Sequence, residues 1–250
     1  MIRDLDRITI DWTEFEEASR KSLEIIHEVA DNKQTLRKLV LHVAKNERLR
    51  AMCEVHEHGE VADELNSSVD DRRVQYLVIY DALDRGLRLR IFTPAVGAFN
   101  PLHNHRYSFS TRLLSGNYQH TIYQVVPVEP GQSSEWTCKQ KPGTHIGRQL
   151  PVVDIADIHA AWNQEHKQGA SYSMHHTTLH TSNYAAPRTF SLFMRSPAAK
   201  DYSFLGEPNS KCYWWKFSRE REVKDHLSTT RMTDEQYTRM VERLEMVGAI

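Results

Sequence analysis

Histidine is the residue type from which chemistry can be read here. The chain carries 14 histidines in 250 residues, and two pairs have the His-x-His spacing that brings neighbouring imidazoles to one ion. Random placement at this frequency gives about 0.8 such pairs, so the spacing gains meaning only from its surroundings. His56 and His58, in EVHEHGEV, sit among polar residues at what reads as a helix end before Gly59, and are expected on the solvated surface. His103 and His105 follow the loop AVGAFNP and open an alternating stretch that closes at Gly116. Residues two apart in a strand share a face, so both imidazoles reach a common ion from adjacent positions. Two imidazoles alone hold a divalent metal weakly, and a mononuclear oxygenase site needs three protein ligands in a facial arrangement. The third candidate comes from His120, His145, His159, His166, His175, His176 and His180. His180 lies in SYSMHHTTLHTSN, ahead of the extended apolar run FSLFM, where a returning strand would pack beside the first. His175 and His176 read as a turn or an open barrel mouth.

The elements that must position these residues are legible in the patterning. Thr13 followed by Glu16 is a capping-box signal, and Phe15, Ala18, Ser22, Ile25, Ile26 and Val29 recur at helical spacing, predicting a helix near residues 13–30. Thr35 opens a second helical run, with a further turn or helix at Leu49, Met52 and Cys53, so residues 12–60 are expected to be helical. From Val74 the pattern changes to VQYLVIYDAL, GLRLRIFTP and TRLLSGNYQHTIYQVVPV, rich in β-branched and aromatic residues with period-two stretches. Residues 129–147 hold Pro130, Gly131, Pro142 and Gly143 and mark a long hairpin or loop. Strands resume near Leu150 and at SYSMHHTTLHTSN and RTFSLFMRSP, and Thr233 caps a final helix within residues 230–250. The expectation is a single domain over 1–250, with an antiparallel barrel at 74–217.

Composition excludes several classes. Lysine and arginine total 32 against 33 acidic residues, for a formal charge of -1, which leaves no excess cation to neutralise a phosphate backbone, so no nucleic-acid partner is expected. The first residues, Met1 to Asp11, carry Arg3, Asp4, Asp6 and Arg7 and have no apolar core of signal-peptide length, and no later segment resembles a membrane span. Cys53, Cys138 and Cys212 are odd in number and far apart, which suits reduced thiols. A cytoplasmic location without a membrane partner is the expectation; the oligomeric state is left open.

At HNHRYSFSTRLLSG the chain resembles the cupin superfamily, and more narrowly the thiol dioxygenase branch that includes cysteine dioxygenase. The first cupin motif runs from a His-x-His pair through a glutamate to a glycine. His103, His105 and Gly116 match it, while Phe109 stands where the glutamate would be, leaving the three-histidine set that thiol dioxygenases have. In cysteine dioxygenase a tyrosine precedes the third histidine at the spacing Tyr172 has from His180, and the following strand reads Ser-Leu-x-x-x-Ser-Pro, matched by SLFMRSP at 191–197. The resemblance singles out His180 as third ligand. It covers roughly residues 74–205 and implies a mainly β fold, a cupin-type small β-barrel (antiparallel jelly roll) with N-terminal helices and a C-terminal helix. It also implies a single Fe(II) ion on His103, His105 and His180.

The departures from the family concern the surroundings of that ion. The crosslinked cysteine and tyrosine of mammalian-type cysteine dioxygenase correspond to Phe109 and Arg195, so no crosslink can form. The family's Ser, His, Tyr relay becomes Ser191, Phe193 and Arg195, which leaves a permanent cation facing inward. Arg195 is expected to clamp an anionic substrate group, a guanidinium fork matching a carboxylate in two hydrogen bonds; a salt bridge on the barrel rim is the alternative. The family's substrate-carboxylate arginine lies around Tyr76 to Tyr80, where this chain has none. Arg88 or Arg90 could substitute, although alternation in GLRLRIF is equally satisfied if both face solvent. The expected function is a mononuclear non-heme iron dioxygenase taking dioxygen and a small-molecule substrate, a carboxylate-bearing amino acid or thiol. In it Phe109, Phe193 and Tyr76 line the substrate pocket and Tyr172 or His176 hydrogen-bonds the incoming oxygen. A cupin isomerase or lyase that uses its metal without oxygen, and a ligand-binding cupin, are the competing readings.

Overall fold

The computed structural model describes residues 5–58, 73–96, 102–127, 156–200, 202–207, 211–216 and 227–250. Three helices come first. In α1 (Phe15–Asp31) the residues Ala18, Ser19, Ser22, Ile25, Ile26 and Val29 form one buried face. The capping box expected at Thr13 and Glu16 does not form, because Asp11 takes both the Thr13 amide at 3.0 Å and its hydroxyl at 2.8 Å in a local turn. Glu14 becomes the N-cap, without a side-chain bond. α2 (Lys33–Val43) opens at Asn32, whose side chain accepts from the Thr35 amide at 3.0 Å. α3 (Glu47–Ala51) is capped in the same way by Asn46.

Helix then ends earlier than expected. Residues 54–58, assigned above to the helical region, form β1 (Glu54–His58), paired antiparallel on one side with β2 (Arg73–Ala82) and on the other with β13 (Leu227–Arg231). A strand paired on both edges has its backbone bonds supplied by neighbours, which overrides a polar sequence such as EVHEH. His56 is half-buried there, its ring 5.2 Å from that of Tyr76 and its Nε2 3.6 Å from Glu54. It is not solvated surface, and the side chain of His58 lies outside the described residues.

The remaining strands are β3 (Leu87–Thr93), β4 (Leu102–His103), β5 (Phe109–Ser115), β6 (Asn117–Pro127), β7 (Ala156–Lys167), β8 (Ser171–Met174), β9 (Leu179–Asn183), β10 (Phe190–Arg195), β11 (Tyr202–Glu207) and β12 (Lys211–Lys216), followed by α4 (Asp234–Met246). Their pairing is nested: β6 with β7, β5 with β8, β4 with β9, and β3 with β10, all antiparallel. Successive pairs fall alternately in a six-stranded sheet, β12-β11-β4-β9-β6-β7, and a seven-stranded one, β13-β1-β2-β3-β10-β5-β8. A long hairpin folded over so that its rungs alternate between two sheets is a jelly roll. The mainly β architecture with helices on both ends of the chain is therefore the one expected. The 129–147 loop lies outside the described residues.

The two faces of the seven-stranded sheet have opposite chemistry. Leu87, Leu89 and Ile91 of β3 and Phe190, Leu192 and Met194 of β10 pack with α1, α2 and α4 into the main apolar core. Their alternates, Arg88, Arg90 and Phe92, and Ser191, Phe193 and Arg195, project from the other face, toward the six-stranded sheet. α4 opens at the expected Thr233 cap, which forms a capping box with Gln236, and is held by Tyr237, which donates to the Val40 carbonyl at 2.9 Å. Among the described residues Cys53 is a buried free thiol, and no helix is long and apolar enough to cross a membrane.

Candidate metal centre

Register brings the candidate ligands together. β4 and β9 pair with His103 directly opposite His180, and His105 follows two residues on, past the end of β4. The ring centroids of His103 and His180 are 4.3 Å apart, those of His103 and His105 4.9 Å, and those of His105 and His180 5.1 Å. One nitrogen from each lies within 4.8 Å of the others. Imidazole nitrogens sharing an ion at about 2.1 Å sit about 3 Å apart at right angles, so metal binding would draw these rings closer together. His180 Nδ1 lies 3.2 Å from the Thr178 carbonyl; a hydrogen bond donated there leaves Nε2 as the ligating atom. His180 is buried, while His103 and His105 are half-buried. Burial first, and then the neighbouring His103, hold His105 and His180 well below the ordinary imidazole range. Both are thus neutral at physiological pH, the state that ligates a metal. The donor set fits a borderline divalent ion such as iron or zinc.

The aromatic residues expected near the ion are gathered there. Phe109 meets His105 edge-on at 5.2 Å and stacks on Phe193 at 4.5 Å. Together with Met174 these two form a small apolar cluster, against which Phe92, Tyr107, Ile122 and Tyr172 pack. Tyr172 faces inward, with its ring 4.4 Å from His166 and 5.1 Å from His120, but its hydroxyl makes a short hydrogen bond with that of Tyr118. Burial, followed by Tyr118, raises the Tyr172 phenol well above its usual range. The ring of His176 is 4.0 Å from that of His175, and its Nδ1 is 3.3 Å from Ser108 Oγ. Tyr76 lies under the Arg90 guanidinium at 4.8 Å and against Phe92 at 5.2 Å.

The arginines divide sharply. Arg88 is engaged by Asp81 at 2.6 Å. Arg195 sits 4.3 Å over the Tyr107 ring, and its Nε is buried without a hydrogen-bond partner; among the described residues the alternative rim salt bridge is not formed. Burial and then Arg90 depress its guanidinium to about 10, which keeps it cationic at neutral pH. Arg90 is buried, and donates to the Tyr107 hydroxyl at 3.2 Å. Of Arg88 and Arg90, only Arg88 forms a salt bridge among the described residues, while Arg90 feels Glu54 at longer range.

Tyr107 and Tyr118 were not expected at the site, and His120 and His166 stood only among the candidates for third ligand. Tyr107 stacks on His105 at 5.2 Å and continues the alternation of HNHRY, a signal that was available. His120 is 4% exposed, with its ring 5.4 Å from that of His180. Burial, then His166 and His103, push it down to about 3. Its place follows from the register of β6 on β9, which a single sequence does not disclose. The side chains of His145 and His159 lie outside the described residues.

No protein-family model matches the sequence, and no curated protein does. Solved structures similar to the chain include an RmlC-like cupin protein from Desulfovibrio desulfuricans, at 15% identity and a TM-score of 0.29 over 56% of this chain and 98% of that one. Another is a cupin 2 conserved barrel domain protein from Rhodopseudomonas palustris, at 12% identity and a TM-score of 0.32 over 60% of this chain and 75% of that one. An L-ribose isomerase from Cellulomonas parahominis, with L-ribose, gives 15% identity and a TM-score of 0.37 over 72% and 84%. Similarity at this distance carries no argument about activity, substrate or cofactor.

Proposed function

We propose that this protein is a mononuclear Fe(II)-dependent oxygenase acting on a small carboxylate-bearing amino acid or thiol, with His103, His105 and His180 holding the ion. The observation that carries this reading is the convergence of three imidazoles, two of them held neutral by burial, beside a guanidinium that has no carboxylate among the described residues. An iron(II) ion held by these three neutral imidazoles would supply the redox chemistry that lets a bound substrate react with dioxygen.

The protein's own groups have separable tasks. Arg195 binds the substrate carboxylate through its free N–H edges. Phe109 and Phe193, stacked on one another, exclude water from the side of His105. Tyr172 keeps its proton at neutral pH and shares it with Tyr118, so the pair can present a hydroxyl to a substrate oxygen. His176, the alternative to Tyr172 as hydrogen-bond donor to oxygen, has its Nδ1 3.3 Å from Ser108 Oγ, which favours Tyr172 for that task. Both oxygen atoms would enter the product, an oxygenated acid, so no outside reductant is required.

One observation favours a second reading, in which the ion acts on a carbonyl or carboxylate without oxygen. His120, His166, Tyr118 and Tyr172 form a connected group of proton-carrying side chains reaching His180, and an isomerase or lyase would use such groups as acid and base. The two readings separate when the protein, reconstituted with iron(II) under nitrogen, is given a panel of amino acids, thiols and other small acids before and after oxygen is admitted. Oxygen uptake coupled to a product heavier by two oxygen atoms supports the oxygenase. Turnover of any compound under nitrogen, with no oxygen uptake by the panel, would overturn it in favour of the second reading.

A further inference from the structure

Arginines that reach inward elsewhere in the protein meet carboxylates: Arg50 meets Asp234 at 2.7 Å, Arg88 meets Asp81 at 2.6 Å, and Arg112 meets Asp31 at 2.8 Å. Among the described residues Arg90 and Arg195 form no salt bridge, Glu54 acting on Arg90 only from a greater distance. Arg90 is 7% exposed and enclosed by the rings of Tyr76 at 4.8 Å, Phe193 at 5.0 Å and Tyr107 at 5.6 Å. Its hydrogen bond goes to the Tyr107 hydroxyl, and its Nε has no partner. In the β3–β10 register Arg90 faces Phe193, two residues before Arg195, so both guanidinium groups come off the same inner face. Arg195 shares the Tyr107 ring from 4.3 Å, and its Nε is likewise unpartnered.

Burying a guanidinium is costly unless an opposite charge meets it, and burying two side by side compounds the cost. Aromatic faces offset part of this from above and below the guanidinium plane. They leave free the in-plane N–H edges, the ones that take paired oxygens. Glu54 attracts Arg90 at longer range, but among the described residues no carboxylate bonds either guanidinium, so a ligand offering two sets of paired oxygens can meet both where a single carboxylate meets one. Tyr107, which both arginines contact, stacks on His105, so whatever fills the arginine site lies beside the triad.

We propose that Arg90 and Arg195 form one dianion-binding subsite next to the three-histidine centre, so that the substrate is a small acid carrying two negative charges. Two sources share that chemistry, a short dicarboxylate and a phosphoryl or phosphonyl acid. The proposal rests on the reading of this interior as the active site, but it does not require the metal, which lets the two be tested apart.

The measurement is calorimetric binding of succinate, inorganic phosphate and acetate to the chelator-treated full chain. At least one dianion is expected to bind about tenfold or more tightly than acetate, and the tighter of the two identifies the source. Arg195→Gln and Arg90→Gln should each weaken that binding about tenfold and reduce the preference over acetate. Should Arg90→Gln fail to fold, Arg195→Gln carries the same comparison, with Arg195→Lys expected to restore part of the affinity. His103→Ala is expected to lose metal while keeping the dianion affinity within about twofold. Equal affinity for acetate and both dianions, no binding of any of the three, or wild-type affinity in folded Arg195→Gln overturns the proposal. Dianion preference in a chain that binds no metal would uphold it and remove the metal reading instead.

Discussion

Burial gives each histidine of this interior a different task from one at the surface. Desolvation makes the imidazolium form unfavourable at His105, His180, His120 and His166, but among the described residues it is His103, His105 and His180 that turn nitrogens toward one point. His180→Ala is therefore expected to abolish metal retention after dialysis, whereas His176→Ala, whose ring belongs with His175 and Ser108, should retain a full complement by elemental analysis. Equal metal content in the two variants would contradict this assignment. Tyr172→Phe removes one side of the Tyr118 hydrogen bond inside a buried cluster and should lower stability by about 1–2 kcal/mol without changing metal content. Sequence alone carried His103 and His105 through their His-x-His spacing, although the strand expected to hold both ends at His103, and His105 lies just beyond it. It left His180 among other histidines until resemblance chose it, because which residue lies across from His103 is a matter of long-range register. Arg90 was equally ambiguous: alternation says that Arg88 and Arg90 share a face but not which face is inside.

At the level of elements, the centre depends on strands being held in register by their turns. Gly116 joins β5, which carries Phe109, to β6, which carries His120. Its φ of 73° and the closeness of Thr189, whose Oγ1 would lie 2.2 Å and Cα 2.7 Å from an added Cβ, leave no room for a side chain. Gly116→Ala should cost about 2 kcal/mol or more in denaturant unfolding, with backbone strain and the Thr189 clash acting together. A loss below about 0.5 kcal/mol would show that the turn is not under this constraint. The distal Thr233 cap provides the contrast: Thr233→Ala should cost about 1 kcal/mol and leave metal binding untouched, since α4 packs on the outer face. Helices and caps were read well where a local rule sufficed, as at Thr233, and poorly where two local rules competed, as at Thr13, which bonds Asp11. β1 was missed because its polar sequence is strand only by virtue of β2 and β13 on either side.

Over the whole molecule, stability and function occupy different sides of the seven-stranded sheet. The apolar core lies between that sheet and the helices, which frees the jelly-roll interior to hold histidines, arginines and tyrosines. That division has a pH signature. His120 sits at about 3 in the folded chain against an ordinary value of about 6.5 when unfolded. Its neutral form is thus fully compatible with folding above about pH 6.5, and stability is lost as pH falls below that value. At pH 5 the loss from His120 alone is about 2 kcal/mol, with His105, His180 and His166 adding in the same direction. The melting temperature of the metal-free chain should fall steadily from pH 7.5 to pH 5, and a flat profile would contradict neutral burial of these rings. The barrel and its flanking helices were visible in the switch of hydrophobic period near Val74, but the split between an apolar outer core and a polar interior was not, because periodicity reports two faces without saying what covers each. The most direct test of the metal centre is anaerobic titration of the stripped chain with iron(II). One ion per chain for the wild type, and none for His103→Ala or His180→Ala, is the expected result; a wild type that binds no ion, or variants that bind it as well, would contradict the three-histidine centre.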